Sequence, residues 1–72
     1  GNPNSVTDAS VAAEVAAAGV KGACLNVMIN LKEIRDNSFK SEKSTEVTKI
    51  LRKVNKIKKD TYDQTIKVIK NL

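Results

Sequence analysis

Histidine and tryptophan are missing from this 72-residue chain, and cysteine, proline, phenylalanine, tyrosine and methionine occur once each. Without an imidazole there is no partner to activate the single thiol, Cys24, as a nucleophile, and one cysteine closes no internal disulfide. Cys24 therefore reads as small apolar packing in a reducing compartment, which places the chain in the cytoplasm. No metal site is expected. Aromatics make up 3% of the chain and glycines number three, so the stacking rings and glycine-rich loops of nucleic-acid readers are lacking. No signal-peptide pattern of basic start, apolar stretch and cleavage site opens the chain. A hydrophobic content of 40% excludes the composition of a disordered chain.

What is present is alanine in helical context. From Val11 to Leu31 only Glu14 and Lys21 carry charge, and apolar residues run around most of the circumference, as in a helix surrounded by neighbours. With Pro3 in an entry loop and Thr7 as N-cap, the pattern predicts a helix over about 8–34, with Asp8 in its first turn. Such a helix is ~40 Å long, whereas a compact chain of this size has a radius of gyration of roughly 11 Å. The rod is too long and too apolar for this chain to enclose. It belongs to a larger helical bundle or to an oligomer whose partners complete the core. Length alone would also suit a membrane span, but weakly hydrophobic alanine and glycine, two internal charges and two following amides argue against insertion.

Those amides, Asn26 and Asn30, stand four apart on one helical face. The same stripe runs back through Gly22, Gly19, Val15, Ala12 and Asp8. Turned away from the charged Glu14, Lys21 and Lys32, the amides are expected on a covered side. Each then needs a hydrogen-bond partner, supplied by another helix or a ligand, or is left unpaired at ~1–3 kcal/mol. The glycines, poor helix formers, suggest close approach by one of the same two neighbours.

The second half differs in kind. Residues 35–44 mix Asp, Asn, Ser and Lys without a sustained period and read as a connection, with Phe39 plugging the junction. A helix over about 45–71 follows the stripe Val47, Ile50, Leu51, Val54, Ile57, Thr61, Thr65, Val68 and Leu72, widened late by Tyr62, Ile66 and Ile69. Residues 1–39 carry three Lys or Arg against four acids, and residues 40–72 carry ten against four. The basic excess thus belongs to the second helix, densest at Arg52, Lys53, Lys56, Lys58 and Lys59. A solvated face accounts for it without nucleic acid, because no reading motif accompanies the lysines. The fold class is all-α: a long buried Ala-rich helix followed by a basic amphipathic one.

The segments Asn2-Pro3-Asn4-Ser5-Val6-Thr7-Asp8-Ala9 and Gly22-Ala23-Cys24-Leu25-Asn26-Val27-Met28-Ile29-Asn30-Leu31 resemble the formiminotetrahydrofolate cyclodeaminase and methenyltetrahydrofolate cyclohydrolase family. The likeness covers roughly residues 1–40; the later basic helix matches only in kind. Ser10 stands where that family often has glycine, and Cys24 where a larger side chain is common. The resemblance implies an all-helical, oligomeric folate enzyme. It also implies that this chain is only the C-terminal part of the domain, without a preceding helical half that carries a glycine-rich segment and further catalytic groups.

In the reaction so implied, N10 of the folate attacks the formimino carbon on N5 and ammonia leaves, forming the 5,10-methenyl bridge; the related activity hydrolyses that bridge. No covalently bound cofactor is expected, and a tetrahydrofolate derivative is the substrate. Asp8 is the first acid–base candidate, ahead of Glu33 and Asp36. Asn26 and Asn30 each offer a planar set of donors and an acceptor for an amide-like pterin edge, with Asn4 and Ser5 of the polar motif as further binding candidates. Asp8 and Asn30 lie ~33 Å apart along one helix, so a shared folate requires a site built across a symmetry axis, as in an antiparallel pair of these helices. The competing reading is a helical hairpin that oligomerises and carries no chemistry.

Overall fold

The computed structural model describes residues 2–72 as two helices, α1 (Pro3–Leu31) and α2 (Asn37–Lys70), joined by a short turn. They fold back on each other as an antiparallel hairpin of 55 × 15 × 14 Å with a radius of gyration of 16.5 Å, well above the value of a compact chain of this size. The architecture is all-α, as the periodicity requires. The helix limits differ from those read in the sequence.

α1 begins five residues earlier than expected because its cap is Asn2, not Thr7. Asn2 is extended (φ −68°, ψ 121°), and its side chain accepts from the Asn4 N–H at 2.9 Å. Pro3 occupies the first helical position, where its lack of an N–H costs nothing and its φ suits the helix. Asparagine followed by proline thus starts the helix rather than delaying it. Asp8 consequently lies beyond the first turn, where dipole stabilisation has fallen off. At the other end α1 stops at Leu31, and the chain turns through Glu33 N–H to Asn30 O (3.3 Å) and Ile34 N–H to Leu31 O (3.1 Å).

α2 starts at Asn37, eight residues before the sequence pattern suggests. Asp36 is its cap, extended (φ −74°, ψ 105°) and accepting from the Phe39 N–H at 3.1 Å. The first two turns hide their period because lysines occupy the inward positions. Lys40 and Lys43 are half-buried, their aliphatic stems taking the place of apolar side chains. Phe39 is therefore a helical residue and remains 44% exposed.

The contact between the helices is a narrow seam. From α1 it takes Ser10, Ala17, Cys24 and Leu31, all buried and seven apart, with Val6 half-buried one turn before Ser10 and Ala13 and Val20 half-buried between the others. From α2 come Val47 and Thr65, with Leu51, Val54, Lys58 and Thr61. This is the heptad spacing of an antiparallel coiled coil. Thr65 satisfies its hydroxyl by donating to the Thr61 carbonyl (2.8 Å). A single ion pair spans the helices among the described residues, Lys58 to Glu14 at 3.8 Å.

Most of α1 outside this seam is exposed among the described residues. Val11, Val15, Leu25 and Ile29 are 58–67% exposed, so the Ala-rich helix is buried along one stripe only within this chain. Part of the stripe expected for α2 is also open, notably Ile50, Ile57 and Leu72. Asn4–Leu31 is long and apolar enough, by length and composition, to cross a membrane, although Glu14, Lys21 and the paired amides lie within or beside the stretch.

Candidate functional site

At the turn end of the hairpin the two helices flank a groove of about 410 Å³. Val27, Leu31 and Ile34 form one wall, Phe39, Val47 and Ile50 the other. The wall charges, Lys43 and Glu46, pair with each other at 3.4 Å, and the Lys43 ammonium also sits 5.4 Å from the centre of the Phe39 ring. The one neutral polar side chain on the lining is the Asn30 amide. An apolar trough with a single planar donor–acceptor group at its edge suits a flat, heteroatom-rimmed ring.

The structure disperses the site residues picked out in the sequence. Asn30 reaches the groove; Asn26, one turn earlier, is exposed and does not line it. Both amides face solvent in the single chain, which corrects the expectation that they lie on a covered side: α2 packs on the Ser10–Leu31 stripe instead. Asn4, Ser5 and Asp8 are exposed near the start of α1, ~33 Å from Asn30 along the helix in the case of Asp8. No single chain brings them together. Gly19 and Gly22 likewise meet nothing, since a Cβ added to either would have no heavy atom within 4 Å. Among the described residues no three of Asp, Glu, Cys and His gather to hold a metal ion.

Sequence reasoning missed Phe39, Lys43 and Ile50 as groove residues. The available signal was Asp36 itself, a residue type suited to a helix N-cap, which accepts from the Phe39 N–H and so places Phe39 in the first turn of α2.

Residues 1–49, which include the Asn-Pro-Asn-Ser start, Asp8, both amides and the near wall of the groove, match the family described as formiminotransferase-cyclodeaminase. The chain belongs to this family. It is 49% identical over 51 residues to the formimidoyltransferase-cyclodeaminase of Gallus gallus, an alignment covering 71% of this chain and 9% of that protein. It is 36% identical over 63 residues to the methenyltetrahydrofolate cyclohydrolase of Methylorubrum extorquens, covering 88% of this chain and 30% of that protein. The chain thus spans under a third of the length of either relative. No solved structure matches it.

Proposed function

We propose that this chain supplies part of the folate site of a cytoplasmic one-carbon enzyme. Its reaction is either the cyclisation of 5-formimidoyltetrahydrofolate to 5,10-methenyltetrahydrofolate with loss of ammonia, or the hydrolysis of the methenyl bridge. The observation that carries this reading is the family match over residues 1–49, which contains Asn4, Ser5, Asp8, Asn26 and Asn30 together. The names of the two relatives support a folate substrate and leave both reaction types in play. In this account the Asn30 amide and the groove beside Phe39 take the ring system. Asp8 of another subunit exchanges the proton that accompanies ammonia release or water attack. The site is incomplete in one copy, so a single chain is inactive and assembly is a condition of binding.

The test is a titration with 5,10-methenyltetrahydrofolate under conditions where the chain is fully assembled. Saturable binding that Asn30→Leu weakens supports the reading. Absence of any folate binding by the assembled chain contradicts it and favours the second reading, a helical oligomerisation module without chemistry. That alternative draws support from the amount of apolar surface left open on α1.

A further inference from the structure

We propose that the outer face of α2 carries a site for a small phosphorylated anion, in a hollow separate from the groove beside Asn30. The hollow is open, about 310 Å³ in volume, and lined by Ser41, Ser44, Thr45, Thr48, Lys49 and Arg52. These positions are three and four apart and form one strip of α2, ~16 Å long and turned away from the seam with α1. Short hydroxyl side chains make its floor. Side chains on a helix lean toward its N-terminus, so Lys49 extends over Thr45 and Arg52 over Thr48. Both cations thus stand above the hydroxyls rather than beyond them.

The pattern of bonds and charges there favours an oxyanion. Thr45 and Thr48 donate their hydroxyls to the carbonyls of Ser41 and Ser44, each at 3.0 Å, which fixes the threonine side chains. The hydroxyls of Ser41 and Ser44 make no such bond among the described residues and can donate outward. Lys43, Lys56, Lys58 and Lys59 are each paired with a carboxylate, whereas Lys49 and Arg52 have no acid partner among the described residues. No acid lines the hollow; Glu42 and Glu46 lie on the neighbouring strip, and Glu46 is held by Lys43. Two uncommitted cations beside two uncommitted hydroxyls can meet the three terminal oxygens of a phosphate, with the Arg52 guanidinium taking two of them side by side. A carboxylate, with one oxygen fewer, leaves a donor unused. Two unpaired cations neutralise at most about two phosphates of a nucleic acid, too few for firm binding by counterion release. The strip offers no apolar side chain to enter a bilayer, so the ligand is a dissolved phosphate ester rather than a lipid headgroup.

The experiment titrates the 72-residue chain with inorganic pyrophosphate at constant ionic strength and follows amide chemical shifts. Saturable changes at millimolar probe, centred on residues 41–52, are expected. Arg52→Gln should weaken binding about fivefold and Ser44→Ala about twofold, whereas Lys67→Gln, which removes a cation elsewhere on α2, should leave it unchanged. Triglutamate should bind about tenfold more weakly than pyrophosphate. Circular dichroism on each variant establishes that the hairpin is folded. Changes that grow without saturating overturn the proposal, as does an equal loss from Lys67→Gln and Arg52→Gln, which would mean a general attraction to a basic helix. Triglutamate that binds as well as pyrophosphate overturns it too, as does a chain that ignores pyrophosphate yet transfers to vesicles containing phosphatidylinositol 4-phosphate. The hollow lies on α2 and shares no residue with the folate site proposed above, so failure of either leaves the other standing.

Discussion

Two leucines on α1 show how unevenly this chain spends its apolar surface. Leu31 is 7% exposed and closes the seam at the turn end, whereas Leu25 is 63% exposed. Leu31→Ala should destabilise the hairpin by about 2–3 kcal/mol, the lower part of the range for buried leucines because its neighbours are few. Leu25→Ala should leave the melting of a dilute monomer nearly unchanged and weaken association. Thermal denaturation at low and high protein concentration separates the two effects. Asn30→Leu is the corresponding probe of chemistry. It adds apolar surface beside the groove and removes its neutral polar group, and it should lower both folate affinity and dimerisation; unchanged values for both would refute an assembled site at this amide.

The helices themselves are held by ends and local pairs more than by a core. Asn2→Ala removes the side chain that accepts from Asn4 N–H and should cost about 1 kcal/mol, read as fraying of α1 by amide hydrogen exchange. Gly22→Leu should raise the helicity of the chain, read by circular dichroism, since leucine forms helix better than glycine and the site is open. On α2, the hydrogen bond from Lys56 holds the Asp60 carboxyl below the usual range, and the hydrogen bond to Asp63 lifts the Lys59 ammonium above its own. The Asp60 contribution is complete above the ordinary carboxylate value and is lost as pH falls through the lowered one. The Lys59 contribution is complete below the ordinary lysine value and is lost as pH rises through the raised one. The melting temperature should therefore be flat between those limits and fall slightly on both sides, and added salt should flatten it further, as both pairs are exposed.

Much of this level was legible beforehand. Alanine content and the 3.6-residue period marked two helices, and the basic excess was assigned to the second. The start of α1 is displaced because Pro3, which reads as part of an entry loop, is the first helical residue behind an Asn cap. The same happened where Lys40 and Lys43 occupy inward positions normally held by aliphatic residues, so no apolar period announced the first turns of α2. Asn30, an amide among Val27, Ile29 and Leu31, stands out in the sequence and lines the groove. Which side of α1 meets α2 was not legible, since alanines, glycines and valines offer two nearly equal apolar stripes on one helix.

The whole molecule follows from that ambiguity. A 29-residue helix with two apolar sides needs two neighbours, and α2 is one. Its small seam leaves a rod of 55 Å rather than a globule, with one face of α1 apolar and open and the opposite side of the hairpin basic and wet. A second neighbour covers what α2 leaves open, and in the proposed folate site it also supplies the groups that one chain holds too far from Asn30. The most direct test is the midpoint of thermal unfolding measured across a wide range of protein concentration. Coupled folding and association predict a midpoint that climbs steadily with concentration. A midpoint independent of concentration, from a chain that sediments as a folded monomer throughout, would contradict the account.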